Sequence, residues 1–145
     1  MDALDQKMMA ELSSNARLPI SALAAKLGIA RTTAQARLDN LEKRGYIAGY
    51  TIRKGAEFSQ NQIQATVLIQ IDPSKQNAVV GRLSALSEVE AAFTASGRFD
   101  MILRVKALNT SHLDSVLDKI ADVPGIKSTE SLIRLSSKFD RGAAS

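Results

Sequence analysis

Cysteine and tryptophan are absent from the 145 residues, and histidine occurs once, at His112. Without cysteine there is no disulfide framework, and nothing points to an oxidising compartment. No stretch approaches the ~20 apolar residues of a membrane span. The opening MDALDQKMMAEL carries acids, has no basic start and no long apolar run, unlike a signal peptide. A cytoplasmic protein without membrane contact is expected. The chain also lacks a metal-ligand cluster, a nucleophile motif and a phosphate-binding glycine loop, so no enzyme activity, cofactor or metal is expected. His112, in the first turn of a predicted helix, reads as a solvated side chain. Asp114, Asp118 and Asp122 recur at helical spacing opposite an apolar stripe and read as a solvated face.

The bases that are present are unevenly placed. Between Arg17 and Lys54 eight bases meet only Asp39 and Glu42, a net +6, whereas from Asn61 onward ten bases meet nine acids. A basic half beside a neutral half suits a polyanion held at one end, and equally a solvated basic face.

Hydrophobic periodicity divides the chain in the same place. Leu4, Met8, Met9 and Leu12 predict a first helix. Ser21 is the candidate N-cap of a second, with Leu23, Ala24 and Leu27 on one side and Gly28 as its stop. A third starts near Thr32, buries Ala34, Leu38 and Leu41, and stops at Gly45. Three short helices with a tight glycine turn match a helix-turn-helix. Residues 46–54 are β-prone and predict a strand or small wing, and residues 55–62 a polar linker. Beyond it, Ile63 to Ile71 alternate with period two, residues 75–87 and 110–122 carry helical stripes, and 89–95 with 101–107 predict a hairpin across Gly97–Asp100. A last strand follows Pro124-Gly125. The order is βαββαβ, and the fold class is α+β: a (winged) helix-turn-helix followed by a ferredoxin-like domain. The boundaries are 1–54, 55–62, 63–138 and a flexible tail, 139–145. Leu68, Ile102 and Leu132 beside Ile133 place aliphatics on the sheet face away from the helices, which predicts burial against a second subunit.

If residues 32–45 lie in a major groove, the side away from Ala34, Leu38 and Leu41 faces DNA. Thr33, Gln35 and Arg37 are then candidates for base edges, since the amide of Gln35 can pair with adenine and Arg37 with guanine. Arg31, Thr32, Lys43 and Arg44 are candidates for phosphates, with Lys43 and Arg44 also able to offset the helix dipole. Asn40 is either a further adenine contact or plain surface.

Several strings in this order resemble the Lrp/AsnC (feast/famine) family of transcription regulators over roughly residues 2–138: Asp2-Ala3-Leu4-Asp5, Asn15 to Ile20, Leu23 to Ile29, Arg37 to Ile47, Tyr50, Gly97-Arg98-Phe99-Asp100 and Pro124-Gly125-Ile126 with Ser128 to Ser131. Ala30 departs from the family's usual serine. Alanine cannot cap, at a cost of ~1 kcal/mol, so a helix starting later, at Thr32 or Thr33, is expected. Ala34 and Ser131 replace a more usual valine and threonine. The resemblance implies double-stranded DNA as partner, self-association into dimers or octamers, and an amino-acid effector between subunits. It assigns that effector to Gly97 and Asp100, with Arg98 and Phe99 between them and Thr129 and Ser131 as weaker candidates. A bare hairpin loop accounts for the same Gly and Asp. The alternatives are an architectural DNA-coating protein without effector and an enzyme of similar architecture. Sirohaem decarboxylases are similar in this way, but their chemistry is associated with several histidines.

Overall fold

A computed structural model describes residues 1–59 and 61–141. The chain divides between Ile52 and Arg53 into two compact units. Of the expected tail, residues 142–145 lie outside the described residues. Among the described residues no helix is long and apolar enough to cross a membrane.

The first unit holds α1 (Ala3–Ser14), α2 (Ile20–Leu27) and α3 (Arg31–Lys43). Asp2 and Asp5 form a reciprocal capping box at the start of α1. Met8, Leu12, Leu23, Ala24, Ala34 and Leu41 are the buried core, flanked by Leu18, Ile20, Leu27, Leu38 and Ile47. Two caps differ from expectation. α2 begins a residue before Ser21, with Pro19 as N-cap and no side-chain bond. Proline, already locked in φ, supplies the extended entry that Ser21 was expected to give. α3 begins at Arg31 with Ala30 as its uncapped N-cap, so neither threonine delays the start. Gly28 takes φ +67° and lets the Ile29 N–H bond back to the Ala24 carbonyl, which makes the tight turn between α2 and α3.

Residues 46–54 form no strand or wing. β-Propensity fits a residue to a pleated, half-buried surface, but a strand also needs a ladder partner, and the chain supplies none here. The expected linker 55–62 likewise contains a short helix, α4 (Ala56–Ser59).

The second unit has β1 (Ile63–Ile71), a 3-10 turn at Pro73–Lys75, α5 (Gln76–Ser84), β2 (Val89–Thr94), β3 (Met101–Ala107), α6 (Thr110–Ala121) and β4 (Ile126–Ile133). The sheet is antiparallel, in the order β2-β3-β1-β4. Val67, Ile69, Leu103 and Val105 bury one face beneath Val79 and Leu83 of α5 and Leu113, Val116 and Ile120 of α6. Gly125, at φ +102°, is required twice over, since a Cβ there would meet Val79 Cγ2 at 2.9 Å.

Cross-strand partners share a face, and this sorts the other side of the sheet. A bulge between Val89 and Ala91 interrupts the alternation along β2. Val89 packs with the core, while Phe93 pairs with Ile102, and Ile102 with Leu68, on the helix-free face. Leu132, opposite Thr66, joins this apolar stripe. Ile133 does not: it pairs with Ala65 on the helix side.

Candidate nucleic-acid interface and effector turn

On α3, Ala34 and Leu41 point inward and Arg31, Thr32, Thr33, Gln35, Asn40, Lys43 and Arg44 are exposed. Among the described residues Arg31, Lys43 and Arg44 have no carboxylate partner. The uncapped N-terminus leaves first-turn N–H groups beside Thr32 and Thr33 without a side-chain acceptor. This is a polar face with bases at both ends, able to meet base edges and phosphates together.

Arg37 does not belong to it. About 60° round the helix from Ala34, it turns towards the start of α1. There Nη1 donates to Asp2 Oδ2 at 2.7 Å and Asp5 Oδ1 at 3.2 Å. The guanidinium holds the Asp2 carboxyl down at about 2, and its own pKa rises through the same bonds. The expected base contact is therefore a clasp between α1 and α3. Two further contacts escaped sequence reasoning. Gln35 Nε2 donates to Asp39 Oδ1 at 2.8 Å, and the Tyr50 hydroxyl donates to Glu42 Oε1 at 2.9 Å. Desolvation, followed by the Glu42 bond, pushes the Tyr50 phenol up. An i,i+4 spacing announces the first; nothing local announces the second.

In the other unit Gly97, at φ +119°, opens the turn between β2 and β3. Asp100 anchors it: Oδ2 accepts from the Ile71 N–H at 2.8 Å, where the β1–β4 register shifts, and its own N–H donates to the Ile69 carbonyl. One carboxylate oxygen expected to meet an effector is thus committed to the fold. Gln70 Nε2 donates to the Arg98 carbonyl, and Gln70 Oε1 accepts from Ser128 Oγ, each at 2.7 Å. Arg98 stacks 5.0 Å from the Phe99 ring centre and reaches Glu130 at 3.5 Å. Gln70, Ser128 and Glu130, not singled out beforehand, share the helix-free face. Thr129 and Ser131 do not, because they pair with Ile69 and Val67 and so lie on the opposite face from this network. Among the described residues the N–H groups of Gly97, Arg98 and Phe99 have no acceptor.

His112 departs from the solvated reading. Nδ1 accepts from the Leu108 N–H at 3.0 Å and Nε2 lies 3.3 Å from Glu88 Oε1. Glu88 is lowered by a backbone bond, then by His112. A cavity of about 180 Å³ lies beside this pair, and one of about 280 Å³ lies between Arg82, Leu86, Lys119 and Val123. Neither is lined by Gly97–Asp100.

Residues 1–42 match the model of the AsnC-type helix-turn-helix domain, and residues 64–144 that of the Lrp/AsnC ligand binding domain. The chain belongs to the Lrp/AsnC family. Relatives such as LrpA of Mycobacterium tuberculosis are helix-turn-helix transcriptional regulators, and this Lrp/AsnC chain carries both of the family's domains. It is 30% identical to the uncharacterized HTH-type transcriptional regulator PH1916 of Pyrococcus horikoshii over 92% of this chain and 91% of that one. Escherichia coli AsnC superposes with a TM-score of 0.88 at 25% identity, covering 97% and 96% of the two chains. The feast or famine regulatory protein Rv3291c of Mycobacterium tuberculosis, solved with L-methionine, superposes at 0.86 and 28% identity, covering 97% and 95%.

Proposed function

We propose that this Lrp/AsnC regulator binds double-stranded DNA as a dimer or larger homo-oligomer, reads its operator with the exposed face of α3, and is tuned by an amino acid at the Gly97–Asp100 turn. The observation that carries the reading is the α3 face itself. Thr32, Thr33, Gln35 and Asn40 stand clear of the core, between Arg31 at one end and Lys43 and Arg44 at the other, cations with no carboxylate partner among the described residues. Two such helices related by a dimer axis call for a roughly palindromic operator.

The dimer reading is supported by the stripe of Phe93, Ile102, Leu68 and Leu132, of which Phe93 is 53% and Leu132 54% exposed. Apolar side chains crossing every strand suit face-to-face sheet packing. The effector reading is supported by the three free N–H groups at Gly97–Phe99, which can hold a carboxylate, and by the L-methionine complex of Rv3291c.

Two measurements test it. Anisotropy titrations of a duplex across salt concentrations should give a log–log slope of about −0.9 per neutralised phosphate; binding indifferent to salt would overturn the DNA reading. A thermal-shift screen against the common amino acids should find one that stabilises by ~2.7 kcal/mol at about 100 times its Kd. That increment should vanish in Asp100→Ala. A hit whose increment survives there places the effector elsewhere.

A further inference from the structure

An acid stands in the middle of the face that α3 offers to DNA. Asp39 lies about 140° round the helix from the buried Ala34, on the same exposed side as Thr32, Ala36 and Lys43. A carboxylate there repels phosphates. Its contact is Gln35, about 100° from Ala34, whose Nε2 donates to Asp39 Oδ1 at 2.8 Å.

A carboxylate can only accept, so Asp39 decides which end of the Gln35 amide turns towards it. The amino group goes to Asp39 and gives it one hydrogen. Among the described residues the second hydrogen and Oε1 have no partner. Adenine shows the major groove an acceptor, N7, beside a donor, the N6 amino group, and one amide N–H with one amide oxygen satisfies both. Asp39 leaves Gln35 with that complement.

We infer that Asp39 is a positioning residue for sequence recognition: it holds the Gln35 amide in the orientation that pairs with adenine, and its charge penalises DNA that offers no such pairing. The inference rests on α3 being the recognition helix. Freed of Asp39, Gln35 presents either end, so discrimination falls while affinity for unrelated DNA rises.

The test selects duplexes from a random-sequence pool with the full chain and with Gln35→Ala, Asp39→Ala and Asp39→Asn, then sequences what is bound. The wild type should enrich adenine about tenfold at one operator position. Gln35→Ala should lose that enrichment and Asp39→Ala should flatten it. Asp39→Asn should fall between the wild type and Asp39→Ala, because its Oδ1 accepts the same bond but its Nδ2 can also donate to Gln35 Oε1 and turn the amide round. Enrichment lost in Gln35→Ala but kept in Asp39→Ala overturns the positioning role and leaves the recognition helix standing. An Asp39→Asn profile no sharper than that of Asp39→Ala overturns it too, since charge alone would then be the cause. No change in Gln35→Ala means that the reading of the helix face itself is wrong. Melting curves of the variants run beside the selection, and a flattened profile with a lowered transition counts against the inference.

Discussion

The two units are held together by different means. Among the described residues the sheet unit buries fourteen apolar side chains in one cluster, drawn from β1 and β3, from α5 and α6, and from Val123. The helical unit buries six. Apolar burial stabilises by roughly 25 cal/mol per Å², so the smaller core leaves more to other contacts. Those are the capping box at Asp2, the glycine turn at Gly28 and the Arg37 clasp. The unit that meets DNA in our proposal thus leans more on charge and hydrogen bonding, which respond to pH and ionic screening, and the sheet unit more on packing.

The contrast can be broken from either side. Leu103→Ala, at a fully buried site, should cost ~2–5 kcal/mol in chemical denaturation of the sheet unit at any salt concentration; a cost that shrinks with added salt would mean that the two units are not so different. Arg37→Ala should come next. It leaves the Asp2 and Asp5 carboxyls without their cation, lowers the helical unit's melting temperature and weakens DNA binding. The salt slope of that binding should stay at the wild-type value, because a clasp releases no counterions. A slope reduced by about one would restore Arg37 as a phosphate contact.

Acid should separate the units more gently. Asp2 titrates at about 2 in the fold against an ordinary 3.8. A lowered carboxyl stabilises fully above its unfolded value and loses that contribution as pH falls through the folded one. The helical unit should therefore weaken between about pH 4 and 2, and circular dichroism of Asp2→Asn should show a shallower loss over that window. Glu88 is lowered as well, so the sheet unit has its own acid response, which Glu88→Gln isolates. The smallest effect sharpens the comparison. Ala30 has the extended backbone of an N-cap without an acceptor; Ala30→Ser should raise the stability of the helical unit by ~1 kcal/mol. No gain would show that the first-turn N–H groups are satisfied in some other way.

Periodicity exposed much of this in advance. Period-two runs located β1 and β3 because both bury one face, and helical stripes located α5 and α6. What stayed hidden depends on partners distant in sequence. The Arg37 clasp spans 35 residues, so Arg37 looked free when read on α3 alone. Residues 46–54 have strand chemistry but no ladder. The bulge near Glu90, which moves Phe93 onto the open face, has no glycine to mark it. At the turn, Gly97 and Asp100 could be picked out but their bonds could not, and Gln70, the residue that ties the turn to Ser128, was one polar residue among several on an exposed face.

The bond between Asp100 and Ile71 gives the turn a built-in reporter. The Ile71 amide has that carboxylate as its acceptor at a break in strand register. While the turn is closed, this single proton should exchange slowly with solvent deuterium. Anything that draws the carboxylate away releases it, without the rest of β1 having to open. The exchange rate of one amide in the middle of the chain therefore reads the state of a loop nearly thirty residues further on.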